Sequence, residues 1–380
     1  MTHAAITGWG KCLPPATLTN ADLATIIDTN DDWIVQRTGI RERRITHVPA
    51  VQLTHVAAQR ALACAGIEAG QLDLIVYGSC SADEAVPNTA SGLQVLLGAK
   101  RAAAYDINTA CTSFLYGLST ATALIKTGVV RTALVVGVEY ISQYMDWSNR
   151  NVAVLFGDGA AAVVLQASDR EEGLIGEALG CIADARQTLR VRGMGAVYGN
   201  RDVMLGDTQW DFDGQEIFKR AVHGMSEASN TVLAKCGKTI ADIDLLVPHQ
   251  ANLRIIEAVG KRIGASMDRT FLTVHKYGNM SAATVPVALV EAIEAGRVQP
   301  GNLLLMPAFG AGLTLCSHLV RWGERVTPIA TSDAELPPFE GTALDLVGAL
   351  RAKKEPAGRS AAGSLPSPLA SSLMVPVLPR

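Results

Sequence analysis

One pentapeptide pattern, an aspartate among four aliphatics, occurs twice in this chain. Leu72-Asp73-Leu74-Ile75-Val76 is matched by Ile243-Asp244-Leu245-Leu246-Val247, an offset of 171 residues (244 − 73). Self-similarity at a fixed spacing is the mark of a repeated structural unit and constrains the fold more than any single motif. Each copy follows a helical segment with a cysteine near its end, Cys64 or Cys236, and a short polar loop. Further on, the turn into a helix at Cys111 matches one at Ser281, an offset of 170 (281 − 111), and the helix-end glycines Gly128 and Gly296 differ by 168 (296 − 128). The near-constant offset implies a duplicated α/β unit whose copies pack about a pseudo-twofold axis, so that equivalent helix N-termini face one another.

Three polar side chains occupy strand-to-helix switches, where sites in α/β proteins usually sit. Cys111 ends the stretch Asp106-Ile107-Asn108-Thr109-Ala110-Cys111 after a buried strand, and Phe114, Leu115, Leu118, Ala121, Leu124 and Ile125 follow at helical spacing. A helix N-terminus favours thiolate over thiol, so the spacing predicts a lowered pKa and a nucleophilic sulfur. His249 follows the aliphatic run Ile243 to Val247, and Asn279 lies in the Gly-containing turn before a third helix. Singly, each has a plain alternative: a buried structural cysteine, a satisfied surface histidine, a turn asparagine. Their joint occurrence, with the pseudo-twofold bringing Cys111 of one half to His249 and Asn279 of the other, argues for chemistry.

These motifs, with Asp32-Trp33-Ile34, Arg37-Thr38-Gly39-Ile40-Arg41-Glu42-Arg43, Leu155-Phe156-Gly157-Asp158-Gly159-Ala160, His249-Gln250-Ala251-Asn252-Leu253-Arg254, Gly278-Asn279 and Phe309-Gly310-Ala311-Gly312-Leu313-Thr314, resemble the β-ketoacyl-acyl carrier protein synthase III family. The resemblance covers roughly residues 1–323 and implies a thiolase fold, an internally duplicated α/β architecture of five layers, αβαβα. It implies a first half over 1–170 with the cysteine, a second over 171–323 with the histidine and asparagine, and a catalytic triad of Cys111, His249 and Asn279. It further implies decarboxylative Claisen condensation of an acyl-CoA primer with malonyl-acyl carrier protein through an acyl-Cys111 intermediate. The oxyanion of acylation would lie between the backbone N–H groups of Cys111 and of the Gly310-Ala311 turn. The enolate left by loss of carbon dioxide would be held by a neutral His249 imidazole N–H and the Asn279 amide, roles in which one fixed donor lowers a barrier by about 3 kcal/mol.

By the same resemblance Trp33 and Arg150 stack on the CoA adenine, Arg37 reaches a phosphate and Thr29 lies nearby. Lys219, Arg254, Lys261 and Arg262 form a basic dock for the acidic carrier protein, although solvated helix faces are the plainer reading of such charges. Val86 stands where relatives with a bulky aromatic close the acyl pocket, often across a dimer interface, so a homodimer and a longer primer are expected. Cys316 replaces a residue that is usually glycine.

The formal net charge is −3, so the basic set would be a local patch, and nothing supports nucleic-acid binding. Seven cysteines without a CxxC or Cys/His zinc spacing predict reduced thiols and no metal or redox cofactor. The start lacks a basic and apolar leader, and no run of 18 apolar residues occurs, so a cytoplasmic enzyme without membrane insertion is expected. Residues 324–380 hold eight of the sixteen prolines and read as a mostly disordered tail. One short helix is expected there, capped by Thr342, with Leu344, Val347 and Leu350 on one face and Lys353 and Lys354 at its end. Two further readings stay open: an acyltransferase or condensing enzyme of secondary metabolism using another nucleophile or extender, and a non-catalytic binding module, against which retention of all three triad residues speaks.

Overall fold

The computed structural model describes residues 2–198 and 208–354. In the first half, β1 (His3–Cys12), α1 (Ala50–Ala65), β2 (Leu74–Gly78), α2 (Thr89–Leu97), β3 (Ala103–Ile107), α3 (Ser113–Lys126), β4 (Thr132–Glu139) and β5 (Gly159–Ser168) follow in order. The second half runs β6 (Gly173–Cys181), α4 (Gly214–Lys235), β7 (Leu245–Leu246), α5 (Leu253–Ile263), α6 (Thr284–Glu294), β8 (Leu303–Gly310) and β9 (Thr314–Arg321). The strands make one sheet of nine, in the order β7-β8-β9-β6-β1-β5-β4-β2-β3. Its two parts meet between β1 and β6 at the single pair Ala4↔Gly173. A Cβ on Gly173 would lie 1.7 Å from the Ala4 carbonyl oxygen, so only glycine permits the joint.

The duplication is visible in the hydrogen bonds. Leu74 pairs with Ala133 and Leu245 with Leu304, each member displaced by 171 (245 − 74; 304 − 133). Asp73 accepts from the N–H of Thr132, and Asp244 accepts from that of Leu303, the same aspartate tying the same neighbouring strand in both halves.

Both sheet faces are covered, which is why the parallel strands read as unbroken apolar runs. Ile75, Tyr77, Leu134 and Val136 pack against α1 and α2. The alternate residues Leu74, Val76, Ala133 and Val135 turn to a middle layer containing α3 and α6. Apolar residues of α4 and α5 cover the outer face of the second half. Helix α6 is buried from Thr284 to Val290, as expected of a helix apolar all round. The five layers are thus α1/α2, the first half's part of the sheet, α3/α6, the second half's part of the same sheet, and α4/α5.

The tail differs from the disorder expected of it. Residues 324–342 run as an extended strap over the first half, and a final helix, α7 (Ala343–Lys354), docks at its end. The strap's backbone and that of the core satisfy each other: Ile329 and Ala330 donate N–H to the carbonyls of Cys64 and Ala63 at 3.0 and 3.2 Å. Arg325 donates to the carbonyls of Cys64 and Thr7, Arg60 donates to that of Ala334, and Phe339 stacks on His47 at 4.9 Å. Proline content argued for disorder, yet a residue without an N–H costs nothing in an extended strap that has few donors to place. Thr342 and Asp345 cap α7 reciprocally. Its buried face is Ala343, Val347 and Leu350, with Leu344 only partly covered. The remaining tail, 355–380, lies outside the described residues.

Candidate active site

The three strand-to-helix turns open into one cavity of about 1530 Å³, lined by Cys111, His249 and Asn279 together. Cys111 precedes α3 and is 8% exposed. Ala110 before it has φ 53°, a left-handed turn that aims the next residue into the cavity. The end of β8 abuts this turn so closely that a Cβ on Gly310 would lie 2.8 Å from the Cys111 nitrogen. The backbone N–H groups of Cys111 and of Ala311 therefore both reach the sulfur.

The sulfur is nonetheless not the ready thiolate expected from its position. Burial pushes the Cys111 thiol up to about 12, the charge of Glu139 adds to that, and hydrogen bonds from Ser281 and the two backbone N–H groups oppose it. A helix terminus supplies on the order of 1 kcal/mol to a nearby charge, too little against full desolvation.

The equivalent turn in the second half corrects the repeat by one residue. Ser281 has φ 44° and lies 171 residues after Ala110 (281 − 110), so Cys111 corresponds to Ala282 rather than to Ser281.

His249 is 1% exposed, and burial lowers it to about 3, so its ring is neutral. Its backbone N–H donates to the Pro307 carbonyl at 2.9 Å. Gln250 pins the loop by donating to the carbonyls of Pro248 and Phe271 and accepting from the N–H groups of Thr273 and Val274. The ring Nδ1 meets Thr284 Oγ1 at 2.5 Å, while Nε2 is buried without a hydrogen-bond partner. Asn279 is held by a parallel bridge to Phe156, donating its N–H to the Leu155 carbonyl at 2.8 Å and accepting from Gly157. Its Oδ1 accepts from the Ser281 N–H at 2.8 Å, which leaves the NH₂ end for the cavity.

Helix Asp31–Thr38, capped by Asn30, carries Trp33 and Arg37 to the mouth. The Arg37 and Arg150 guanidiniums lie 4.4 and 4.9 Å from the Trp33 ring centre. A base inserted between Trp33 and Arg150 needs about 7 Å, two contact distances of ~3.5 Å. Arg150 must therefore swing off the ring, leaving its bond to the Asp28 carbonyl at 3.1 Å. Thr29 is not on the cavity wall, and its hydroxyl is buried without a partner.

Lys219 and Arg254 line the mouth, whereas Lys261 and Arg262 lie near the far end of α5, where Arg262 meets His223 at 3.0 Å. The basic set is therefore split, with two members at the opening and two about two turns away. Arg186, missed in the sequence, lines the same cavity, as does Arg190, whose charge is paired with Asp211 at 2.7 Å. Val86 does not line the cavity of its own chain: it is 89% exposed. Cys316 is a fully buried strand residue opposite Ala308. Also missed were Cys80, Glu139, Ser281 and Thr284, which surround the triad. Two of these left a trace, Ser281 at the turn matched to that of Cys111 and Glu139 as an acid directly closing an apolar strand.

The family model described as 3-oxoacyl-[acyl-carrier-protein (ACP)] synthase III matches residues 105–182, and the one for its C terminal matches 233–322. A β-ketoacyl-[acyl-carrier-protein] synthase III 2 of Vibrio cholerae is 52% identical over 345 residues, 91% of this chain and 95% of that protein. The corresponding synthase III of Roseiflexus castenholzii is 44% identical over 84% of this chain and 98% of its own length. The crystal structure of the Aquifex aeolicus enzyme superposes with a TM-score of 0.78 at 38% identity, over 84% of this chain and 100% of that one. Sequence, fold and the three-turn cavity agree, and the chain belongs to the β-ketoacyl-acyl carrier protein synthase III family of condensing acyltransferases.

Proposed function

We propose that this condensing enzyme acts through Cys111 as nucleophile and through His249 and Asn279 as donors to an enolate. The Cys111 sulfur attacks the thioester carbon of an acyl-CoA, CoA leaves, and the acyl-enzyme divides one difficult bond formation into two steps. The oxyanion of that step would be met by the backbone N–H groups of Cys111 and Ala311. A malonyl thioester on acyl carrier protein then loses carbon dioxide, and the enolate attacks the acyl-Cys111 carbonyl, forming the carbon–carbon bond as the acyl carbon–sulfur bond breaks and the Cys111 sulfur is released. The observation that carries the reading is the convergence of three partly unsatisfied groups on one cavity: the Cys111 sulfur, the unpartnered His249 Nε2 and the free NH₂ of Asn279.

The reading asks for a proton on His249 Nε2. Thr284 has one proton and two acceptors, His249 Nδ1 at 2.5 Å and the Ser281 carbonyl at 2.9 Å. The shorter contact favours donation to Nδ1, which places the ring's own proton on Nε2. Proton transfer and charge stabilisation account for each step, so the chemistry calls for no metal or redox group.

Trp33, Arg37 and Arg150 are proposed to hold the CoA nucleotide, and Lys219 and Arg254, with Lys261 and Arg262 further along α5, the acidic carrier protein. A homodimer is proposed through β3, the terminal strand of the sheet, beside which Val86, Val95 and Leu96 are exposed. The cytoplasm, where thiols stay reduced, suits an enzyme of this chemistry.

Intact-protein mass spectrometry after incubation with a panel of acyl-CoAs tests the reading. The parent should gain one acyl group, and Cys111→Ser none. An acylated Cys111→Ser protein would overturn the assignment of the nucleophile.

A further inference from the structure

One arginine lies wholly inside the protein and takes no part in the cavity wall. Arg43 sits in the short strand Glu42–Arg44, is 0% exposed, and among the described residues forms no ion pair with a carboxylate. Its guanidinium donates to neutral oxygens: the Leu18 carbonyl at 3.2 Å, Asn20 Oδ1 at 2.9 Å and the Val154 carbonyl at 2.6 Å. Its Nε is buried without a partner. A charge buried on neutral acceptors, with a donor left over, disfavours folding, so stability gives no reason for an arginine here. Two connections lead from it to the site. On one side Asn20, 2% exposed, donates its NH₂ to Asp31 Oδ1 and to the Ile40 carbonyl, both at 2.8 Å. It thereby grips both ends of helix Asp31–Thr38, which carries Trp33 and Arg37 to the cavity mouth. On the other side Val154 precedes Leu155, Phe156 and Gly157, the segment bridged to Asn279. The stem of Arg43 lies against the same bridge: a Cβ on Gly157 would be 3.0 Å from Arg43 Cβ, and one on Gly278 3.5 Å from it.

We propose that Arg43 is a positioning residue, which holds the helix of Trp33 and Arg37 and the turn of Asn279 in one fixed relation through Asn20 and Val154. It rests on the roles given above to Trp33 and Arg37 at CoA and to Asn279 at the enolate. A thioester anchored at the mouth places its carbonyl by the length of its arm, so the span from the mouth helix to the Asn279 NH₂ must not vary. A fixed donor gives its full effect only when it meets the developing charge without rearranging. The planar fork of a guanidinium sets the angle between its acceptors as well as the distances; a lysine can reach one of them but cannot hold Asn20 and Val154 at once. Among the described residues no hydrogen bond runs from the Arg43 or Asn20 side chain to the turn that carries Cys111. Arg43 therefore acts on decarboxylation and CoA binding, not on the nucleophile.

The test is a pair of double-mutant cycles, in protein shown to be folded by circular dichroism: Arg43→Lys with Asn279→Ala, and Asn20→Ala with Trp33→Ala. Arg43→Lys should lower decarboxylation of malonyl thioester roughly tenfold, part of the hundredfold expected of Asn279→Ala, while acylation of Cys111 at saturating acyl-CoA changes less than about threefold. In the Asn279→Ala background the same substitution should cost less than about twofold more, because a residue acting through Asn279 has nothing left to position. Asn20→Ala should raise KM for acyl-CoA roughly fivefold, the range for one buried hydrogen bond, and should leave it unchanged in the Trp33→Ala background. A merely structural role would lower acylation and decarboxylation alike and would add in full to the Asn279→Ala loss. Either of those results, or a folded Arg43→Lys protein that decarboxylates as the parent does, would overturn the proposal. Where Arg43→Lys fails to fold, Asn20→Ala decides, and a KM equal to the parent's would overturn it. Full decarboxylation in Asn279→Ala alone, or a parental KM in Trp33→Ala alone, would instead overturn the reading on which the proposal rests.

Discussion

The amide oxygen of Asn279 and the backbone N–H of Ser281, 2.8 Å apart, decide which end of the Asn279 side chain meets a substrate. With the oxygen engaged, only the NH₂ is left for the cavity, and an amide that cannot flip is a preorganised donor.

Asn279→Ala and His249→Ala should therefore separate the half-reactions. Each variant should still take an acyl group from CoA but lose malonyl decarboxylation by roughly a hundredfold or more. Asn279→Asp should do no better than the alanine variant, since its second oxygen would face the enolate with like charge. Because burial holds His249 near 3, decarboxylation should show no acid limb from that ring between pH 5 and 8. The ring nitrogen shifts in an NMR spectrum should place the proton on Nε2. A variant that lost acylation and kept decarboxylation would reverse these roles.

The elements that hold this site were legible in the sequence where the information is local. Asp73 and Asp244 recur because each half must tie the same pair of strands, and a repeat of residue types records that directly. The positions of Cys111, His249 and Asn279 followed from apolar runs ending at polar turns. Burial is a tertiary property, and so the Cys111 thiol was misjudged: the helix end could be read, the desolvation could not. The cluster of Cys80, Ser81, Glu139 and Ser281 escaped notice because its members come from three distant segments and no motif contains them. Composition failed for the strap at 324–342, since it counts prolines and not the carbonyls of Ala63 and Cys64 waiting for partners.

His318 offers a test of what burial does to a histidine away from the triad. It is 0% exposed and lowered to about 3, against an ordinary value near 6.5. Between those pH values the unfolded chain binds a proton that the folded chain refuses, so stability from this group is present above pH 6.5 and is lost as pH falls. Asp158, raised to about 6 by burial, acts in the opposite sense, which blurs the slope of the parent. Comparing His318→Gln with the parent cancels that contribution. The stability difference measured by urea unfolding should shift in favour of the variant by roughly 1.4 kcal/mol per unit of acidification between about pH 6 and 4. A difference that does not vary with pH would show that His318 is protonated in the folded protein.

The docked tail should stabilise the side of the molecule that carries Trp33 and Arg37. Val347 and Leu350 of α7 share a buried cluster with Leu18, Ile34 and Ile40, and Ile34 lies in the helix that carries Trp33 and Arg37. Val347→Ala removes two buried carbons and should cost about 2 kcal/mol of unfolding free energy. Truncation after Gly323 should cost more and raise KM for acyl-CoA. Equal stability and equal KM in the truncated protein would show the strap to be passive.

Val86 tests whether primer length is set from outside the chain that binds the primer. The side chain is 89% exposed and stands apart from its own cavity, beside β3 at the open edge of the sheet. It can therefore meet an acyl chain only in a second copy paired through that edge. A phenylalanine exceeds valine by about four carbon atoms, and each buried CH₂ of a bound chain is worth about 0.8 kcal/mol, so Val86→Phe should remove most preference for longer primers. The parent should favour medium-chain or branched primers over acetyl. The measurement is kcat/KM for acetyl-, butyryl-, octanoyl- and decanoyl-CoA in both proteins, with the oligomeric state determined alongside by sedimentation, since that ratio reports discrimination between substrates. A dimer whose Val86→Phe profile matches the parent would place the end of the pocket elsewhere. A monomer with a changed profile would mean that Val86 reaches its own cavity after all.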